Sequence, residues 1–366
     1  MTVSELDTPA LLIDLEIMEH NLQRAANYAA THHLRLRPHT KTHKMPEIGR
    51  RQLALGAAGL TVAKVSEAEV MIDAMLDASP SDLLVAYPVI GRTKLDRLAK
   101  VAAEAQVTVA LDSAAAARQL SEAAQAAGVK IGVLVEMDVG LGRVGVTPAE
   151  ALRLAQEIET LPGVRFRGLA FYPGHIKNPG GSDAAKLSTL SELLEATIAD
   201  FRRAGIEAEI VSGGSTPTLF HSHLVKGQNE VRPGTYVFND INTVQSGACS
   251  LDDCAAAILV TVVSTPRAGS MFIDGGSKTF SSDRSTAGGE TFGRVVEAPG
   301  CRFYRMNEEH GFIDTAQAER EFSVGQKIRI IPNHVCVAVN LHENVYGIRG
   351  EKVEEVWKVA GRGKLQ

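Results

Sequence analysis

Long apolar runs are missing from this chain. No stretch of about 18 apolar residues occurs, so no segment is expected to span a membrane. Basic blocks are missing too: 38 Lys and Arg stand against 43 Asp and Glu, for a net charge of -5. Neutralising a phosphate backbone needs clustered Lys and Arg over a wide face, so nucleic acid is not an expected partner. Cysteine is scarce. Cys249, Cys254, Cys301 and Cys336 all fall in the last third, too sparse for a disulfide framework and consistent with a reducing cytoplasm. The start, MTVSELDTPALLIDLEIMEHNL, places acids inside its apolar run and has no basic lead, so it does not read as a secretion signal. What remains, 45% hydrophobic and 22% charged, is the composition of a soluble globular protein.

Within that composition, short runs rich in Val, Ile and Leu alternate with Ala-rich segments of helical period, the signature of βαβ units with parallel strands. The runs are LRLRPHTK, GLTVAK, DLLVAYP, VTVALDS, IGVLVEMD, FRGLAFYPGH, AEIVSGGS and VRPGTYVF. The first five end roughly 24 residues apart, a natural length for strand, helix and two short loops. Eight units ending near residue 240 match a TIM-type (β/α)8 barrel, with a doubly wound open sheet as the alternative. A barrel builds its active site at the C-terminal ends of its strands. Lys41, Lys64, Tyr87, Asp112, Asp138, Tyr172, His175 and Ser212 all lie at or just past such ends.

The stretch RPHTKTHKMPE at residues 37–47 concentrates His39, Lys41, His43 and Lys44 after the first of these strands. A solvated loop is the plain reading. Across the same mouth, SGGST offers backbone N–H groups from Gly213, Gly214, Ser215 and Thr216 beside Ser212, and RPGTY adds Gly234 and Tyr236. Loops after the last barrel strands commonly cradle a phosphate. A lysine amine facing a phosphate cradle is what pyridoxal 5'-phosphate requires.

From Gln245 onward the helical period gives way to β-type alternation in AAILVTVVST, SMFIDGG, QKIRIIPNHVCVAVN and VEEVWKVAG, which reads as a mostly-β second domain. On a strand, His334 and Cys336 would emerge on one face. Imidazole plus thiolate suits Zn2+, with Mn2+ possible. Two protein ligands leave positions for water and substrate oxygen. A Cys packed beside a hydrogen-bonded His is the structural alternative. Asp274 with Gly275 and Gly276 reads as a turn, Trp357 as core, and Cys249, Cys254 and Cys301 as plain thiols.

Taken together, RPHTKTHK, EMDVGLGRVG, SGGST and RPGTY resemble the D-threonine aldolase and D-serine dehydratase family of fold-type III pyridoxal-phosphate enzymes, which share the alanine racemase barrel. The likeness runs from DTPALLIDL at residues 7–15 to the last strand. It implies a (β/α)8 barrel over 16–244 and a β-domain made of 1–15 plus 245–366 that carries the metal site. By the resemblance Lys41 is the coenzyme lysine, with Lys44 a nearby solvated or substrate-facing charge. Arg143 would face the coenzyme, with a surface arginine as the alternative, and Tyr172 and His175 would contact its ring or move a substrate proton, with a His bonded to loop backbone as the alternative. His334 and Cys336 would hold a divalent metal, Cys being the dehydratase pattern where several aldolases carry Asp. The implied activity is that of a lyase on D-β-hydroxy-α-amino acids: retro-aldol cleavage to glycine and an aldehyde, with β-elimination to a 2-keto acid and ammonia as the alternative. An amino-acid racemase and a non-catalytic coenzyme carrier are more remote readings. The resemblance also implies a homodimer whose β-domains cover the partner's barrel mouth; His310, in the β-domain, is a further candidate that could reach the site in such a dimer.

Overall fold

A computed structural model describes residues 1–75, 81–286 and 291–366. Among these the strands run β1 (Ala10–Asp14), β2 (Arg35–Leu36), β3 (Leu60–Val62), β4 (Asp82–Val85), β5 (Gln106–Leu111), β6 (Ile131–Met137), β7 (Val164–Phe171), β8 (Ile210–Gly213) and β9 (Glu230–Val231). They continue as β10 (Ala256–Arg267), β11 (Ser270–Ile273), β12 (Gly293–Val295), β13 (Arg302–Met306), β14 (Gly311–Asp314), β15 (Lys327–Pro332), β16 (Asn344–Arg349) and β17 (Lys352–Lys358). None of the described helices is long and apolar enough to cross a membrane.

Strands β2 to β9 form one parallel sheet in the order β2-β9-β8-β7-β6-β5-β4-β3. A parallel bridge between His39 and Thr61 joins its two ends, so the eight strands close into the expected barrel. Helices follow the strands because their sequences carry both period and caps. In the helix Ala114–Ala126, Ser113 accepts the Ala116 N–H at 3.3 Å and Gly128 ends the turn at φ +68°, a conformation that costs glycine little. The helix Pro148–Glu159 starts on a Thr147–Glu150 capping box with Pro148 in its first turn. Between β8 and β9 there is only a 3-10 segment, Leu219–Leu224.

The barrel interior is layered. Leu84, Ala110, Leu134, Ala170 and Ile210 make an apolar layer. Towards the N-terminal ends of β4 and β5 lies an ionic one. Arg37 Nε meets Glu230 Oε1 at 2.9 Å and Arg37 Nη1 meets Asp82 Oδ1 at 3.1 Å. Arg167 Nη1 reaches Asp82 Oδ2 at 3.2 Å and donates to Thr108 Oγ1 at 2.8 Å. Arg167 turns inward because the β6–β7 register slips between Val133 and Leu134, a bulge completed by Gly168 at φ +140°. Gly132 makes the room: a Cβ there would lie 2.5 Å from Arg167 Cδ and 2.7 Å from Thr108 Oγ1.

The chain divides into two compact units. The barrel unit is Arg24–Lys41, Pro46–Gly234 and Gly363–Gln366, and the β-unit is Met1–Gln23, Thr42–Met45 and Thr235–Arg362. These bounds differ from the expected 16–244 split for local reasons. Residues 42–45 go with the β-unit because Lys44 and Gly361 exchange hydrogen bonds, Gly361 N to Lys44 O at 2.9 Å and Lys44 Nζ to Gly361 O at 3.2 Å. The last four residues go with the barrel because Gln366 O accepts from Ser66 N and Ser66 Oγ at 2.9 and 2.7 Å.

In the β-unit, β1 pairs antiparallel with β10 and parallel with β16. The sheet order is β13-β14-β11-β10-β1-β16-β17, with β15 pairing β10 and β12. One expectation fails here. HVCVAVN is not a strand but a helix, Val335–Leu341, with His334 at its N-cap. Val335, Val337 and Val339 fit a strand alternation equally well on paper. The structure buries Val335, Ala338 and Val339, spaced as one helical face, and leaves Val337 42% exposed.

Candidate active site

The C-terminal mouth of the barrel unit collects the residues that the sequence placed there. Lys41 follows β2 and is exposed, its N–H donating to His39 Nδ1 at 3.4 Å. Lys44 is not the solvated charge expected: it is buried at φ +57° in the β-unit with its amine on the Gly361 carbonyl. The two lysines that spacing alone leaves equivalent are therefore different, one available and one engaged.

After β6 the chain makes a tight excursion around Asp138. Its Oδ1 accepts the N–H groups of Gly140, Leu141 and Gly142 at 3.0, 3.0 and 3.1 Å. The N–H groups of Gly142 and Gly140 hold this carboxyl below its ordinary range. Gly145 N donates to Asp112 Oδ2 at 3.0 Å, and a Cβ on Gly145 would sit 2.3 Å from Asp138 N. This loop carries Arg143, whose guanidinium lies 4.9 Å from the Tyr172 ring centre. The Tyr172 ring in turn covers Gly174, where a Cβ would come within 2.5 Å of it. His175 Nδ1 is buried with no partner among the described residues, and its Nε2 side faces Gly140. Lys64 Nζ lies 3.7 Å from the Tyr87 ring centre.

The SGGST loop follows β8. Gly214 takes φ +86°, and a Cβ on Gly213 would lie 2.1 Å from the Phe171 ring. Ser215 N donates to Thr218 Oγ1 at 2.9 Å, folding the loop into the 3-10 segment behind it. Ser212 departs from its expected role, since its hydroxyl is turned inward to Glu230 Oε1 at 2.6 Å. Gly234 closes the barrel unit, whereas Tyr236 is buried in a 3-10 turn, Thr235–Val237, of the β-unit.

Two mouth residues escaped the sequence reading. Arg232 is buried, gives Nη2 to Phe171 O at 2.9 Å, and leaves Nη1 without an acceptor among the described residues. Glu136, on β6, is also buried. Desolvation pushes its carboxyl above the ordinary range against the pull of Arg232 and Arg143. The signal for Arg232 lay in RPGTY, where only the glycine and tyrosine drew notice. A buried donor lacking an acceptor fits a ligand that brings one, and the pyridine nitrogen of pyridoxal phosphate is such an acceptor.

In the β-unit, His334 and Cys336 do come together, in the first helical turn rather than on a strand. His334 Nδ1 bonds Asp240 Oδ2 at 2.9 Å, which also accepts Val335 N at 3.1 Å. Asp240 is fully buried and caps the helix Ile241–Gln245 through Thr243 N at 2.8 Å. Cys336 Sγ lies 3.2 Å from Thr42 Oγ1 and 3.7 Å from Thr235 Oγ1. Burial works to lower the His334 imidazole, but the Cys336 and Asp240 charges outweigh it and raise its pKa to about 11. With Nδ1 fixed on a carboxylate, Nε2 is the nitrogen left for a metal. The donor set, imidazole beside a sulfur, fits a borderline-soft divalent ion. Among the described residues no third His, Cys, Asp or Glu completes a shell, so the pair would leave coordination positions open. His310 lies outside this group, on the exposed turn between β13 and β14.

A closed (β/α)8 barrel with an available lysine and a glycine loop at its mouth, joined to a mostly-β unit, is the architecture of the alanine racemase-like, fold-type III enzymes. The profile of the alanine racemase N-terminal domain matches residues 13–241, and that of a serine dehydratase domain matches residues 255–348. The D-threonine aldolase of Arthrobacter sp. is 34% identical over 99% of this chain and 94% of its own length. The crystal structure of D-threonine aldolase from Filomicrobium marinum superposes with a TM-score of 0.93 at 36% identity, covering 100% of this chain and 98% of that one. A metal-free form of a cysteine-to-alanine variant of D-threo-3-hydroxyaspartate dehydratase superposes at 0.88 with 29% identity, covering 98% of each chain. The chain belongs to the D-threonine aldolase and D-serine dehydratase family, whose members are pyridoxal-phosphate-dependent lyases.

Proposed function

We propose that this chain is a pyridoxal-phosphate- and divalent-metal-dependent lyase acting on D-β-hydroxy-α-amino acids, cleaving D-threonine-type substrates to glycine and an aldehyde. The observation that carries the reading is the full-length likeness to D-threonine aldolases at 34% and 36% identity. Bound pyridoxal phosphate supplies an electron sink for the bonds at the substrate Cα, and a divalent Zn2+ or Mn2+ ion supplies Lewis acidity at the β-hydroxyl.

The chain's own residues then have separable roles. Lys41 holds the coenzyme through its exposed amine and exchanges protons at Cα. Arg232, whose Nη1 has no acceptor among the described residues, would donate to the ring nitrogen, and the backbone of Gly213, Gly214, Ser215 and Thr216, together with Gly234 after the last barrel strand, would hold the phosphate. Arg143 and Tyr172, whose guanidinium and ring centre lie 4.9 Å apart, would contact the coenzyme. Tyr236 would contribute to holding the coenzyme, and Ser212 would do so through its backbone, its hydroxyl being on Glu230. His175, with its unpartnered Nδ1, takes the proton from the β-hydroxyl. Asp240 fixes His334 so that it and Cys336 present Nε2 and Sγ to the ion. A cytoplasmic homodimer is the assembly we assign.

A second reading, β-elimination to a 2-keto acid and ammonia, is favoured by Cys336, the residue expected of the dehydratase branch, and by the likeness to a D-threo-3-hydroxyaspartate dehydratase at 31% identity over 92% of this chain. Product analysis with D-threonine decides between them. Glycine and acetaldehyde are expected; predominant 2-oxobutanoate and ammonia would overturn the aldolase reading, and equal turnover of L-threonine would overturn the D-stereochemistry.

A further inference from the structure

Cys249 and Cys254 stand outside every role assigned above, and the fold pinches them together. The four residues between them close on themselves: Ser250 N and Oγ both donate to Asp253 Oδ2, at 2.7 and 2.9 Å, while Asp253 N and Cys254 N return to Ser250 O and Leu251 O at 3.3 and 3.0 Å. This reciprocal cap sets the flanking cysteines beside each other, near enough for each to act on the other's thiol, while the Cys254 S–H donates to Ser250 O at 3.9 Å. Both are free thiols; Cys254 is buried and Cys249 is part-exposed, with its S–H donating to Thr243 Oγ1 at 3.5 Å.

We propose that Cys249 and Cys254 are a redox-active dithiol that closes to a disulfide when a peroxide reaches Cys249. In the first step the Cys249 sulfur attacks one peroxide oxygen; an S–O bond forms, the O–O bond breaks, and the departing oxygen leaves as water once protonated. In the second step the Cys254 sulfur attacks the Cys249 sulfur; the S–S bond forms, the S–O bond breaks, and a second water leaves with the Cys254 proton. Two thiols are oxidised and one peroxide is reduced to two waters. The order follows from the surroundings. Contact with Cys254 lowers the Cys249 thiol below its ordinary value, whereas contact with Cys249, with burial, raises Cys254. Closure also removes the Cys249 S–H from Thr243, the residue that Asp240 caps. Nothing in this proposal depends on the lyase reading.

The test uses the purified full chain, reduced and then exposed to hydrogen peroxide. Trypsin releases residues 227–267, which contain Cys249 and Cys254 but neither Cys301 nor Cys336. The expected product is that peptide lighter by two hydrogen atoms and closed to alkylation. In Cys254→Ser a sulfenic-acid probe should label Cys249, while in Cys249→Ser the labelling of Cys254 should be slower by about tenfold or more. Circular dichroism confirms that both variants fold. If Cys249 and Cys254 both remain alkylatable after Cys301 or Cys336 has been oxidised, or if Cys254 is labelled as fast as Cys249, the proposal is overturned.

Discussion

Replacing Asp82 with alanine is expected to destabilise the protein by about 3–5 kcal/mol, the usual result of stranding buried charge. Asp82 is 3% exposed and faces two buried guanidinium groups, Arg37 at 2% and Arg167 at 5%, with the more exposed Arg35 at 4.0 Å. At charge separations of about 4 Å and an effective dielectric near 20, each pair attracts by about 4 kcal/mol. Two pairs therefore hold about 8 kcal/mol of gross attraction, part of which is offset by water entering the space left by the carboxylate. After the substitution only Glu230 remains to balance Arg37, through Nε at 2.9 Å, and it already serves Arg35 at 3.5 Å. Arg167 is left with the Thr108 hydroxyl and a longer 3.6 Å contact to the half-exposed Glu209. The measurement is urea unfolding followed by far-ultraviolet circular dichroism, comparing transition midpoints under identical conditions. A companion variant sharpens it. Asp82→Leu combined with Arg167→Met removes one charge of each sign and fills the volume, so its midpoint should fall close to that of the wild type. If Asp82→Ala lies within about 1 kcal/mol of wild type, the ionic layer does not contribute as argued.

Other outcomes follow from the same geometry. Borohydride reduction in the presence of pyridoxal phosphate should fix the coenzyme to Lys41, and Lys41→Ala should abolish the fixation; label on Lys44 instead would contradict the burial argument. Asp240→Ala should weaken Zn2+ or Mn2+ binding by about 10–100-fold in a chelator competition, because His334 loses the carboxylate that orients it; unchanged affinity would remove Asp240 from the site. The metal-free protein should lose stability as pH rises. His334 has its folded pKa raised to about 11 from an ordinary 6.5, so its contribution is full below about 6.5 and vanishes as pH climbs through about 11. His334→Gln should flatten that slope in urea midpoints, and an unchanged slope would place the titration elsewhere.

The eight barrel strands were legible because parallel strands buried on both faces leave near-continuous apolar runs, and the mouth was legible because polar residues follow those runs. What lies inside the barrel was not. Nothing in the sequence marks Arg37, Asp82, Arg167 and Glu230 as an interior ionic layer, since no local signal distinguishes an arginine pointing to water from one pointing to a buried carboxylate. Lys44 was misplaced for a similar reason: its burial depends on Gly361, 317 positions away. Arg232 looks unremarkable in sequence and becomes informative only through an unpartnered Nη1. The helix at Val335 was hidden by valines whose spacing satisfies two periods, and tertiary packing on Ala338 decided between them.

The inward turn of Arg167 constrains how this barrel can change over time. Gly132 has no side chain because Arg167 occupies the space where one would be, and Gly168 adopts the backbone angle that aims it. A lineage could not acquire alanine at 132 while arginine remains at 167, yet shortening 167 first would leave Asp82 with Arg37 and the more distant, half-exposed Arg35, and a void beside Thr108. Either first step is unfavourable although the pair together is tolerable, so positions 132 and 167 should be inherited as a unit, and a graft or chimera that joins segments between β6 and β7 should fail unless it carries both.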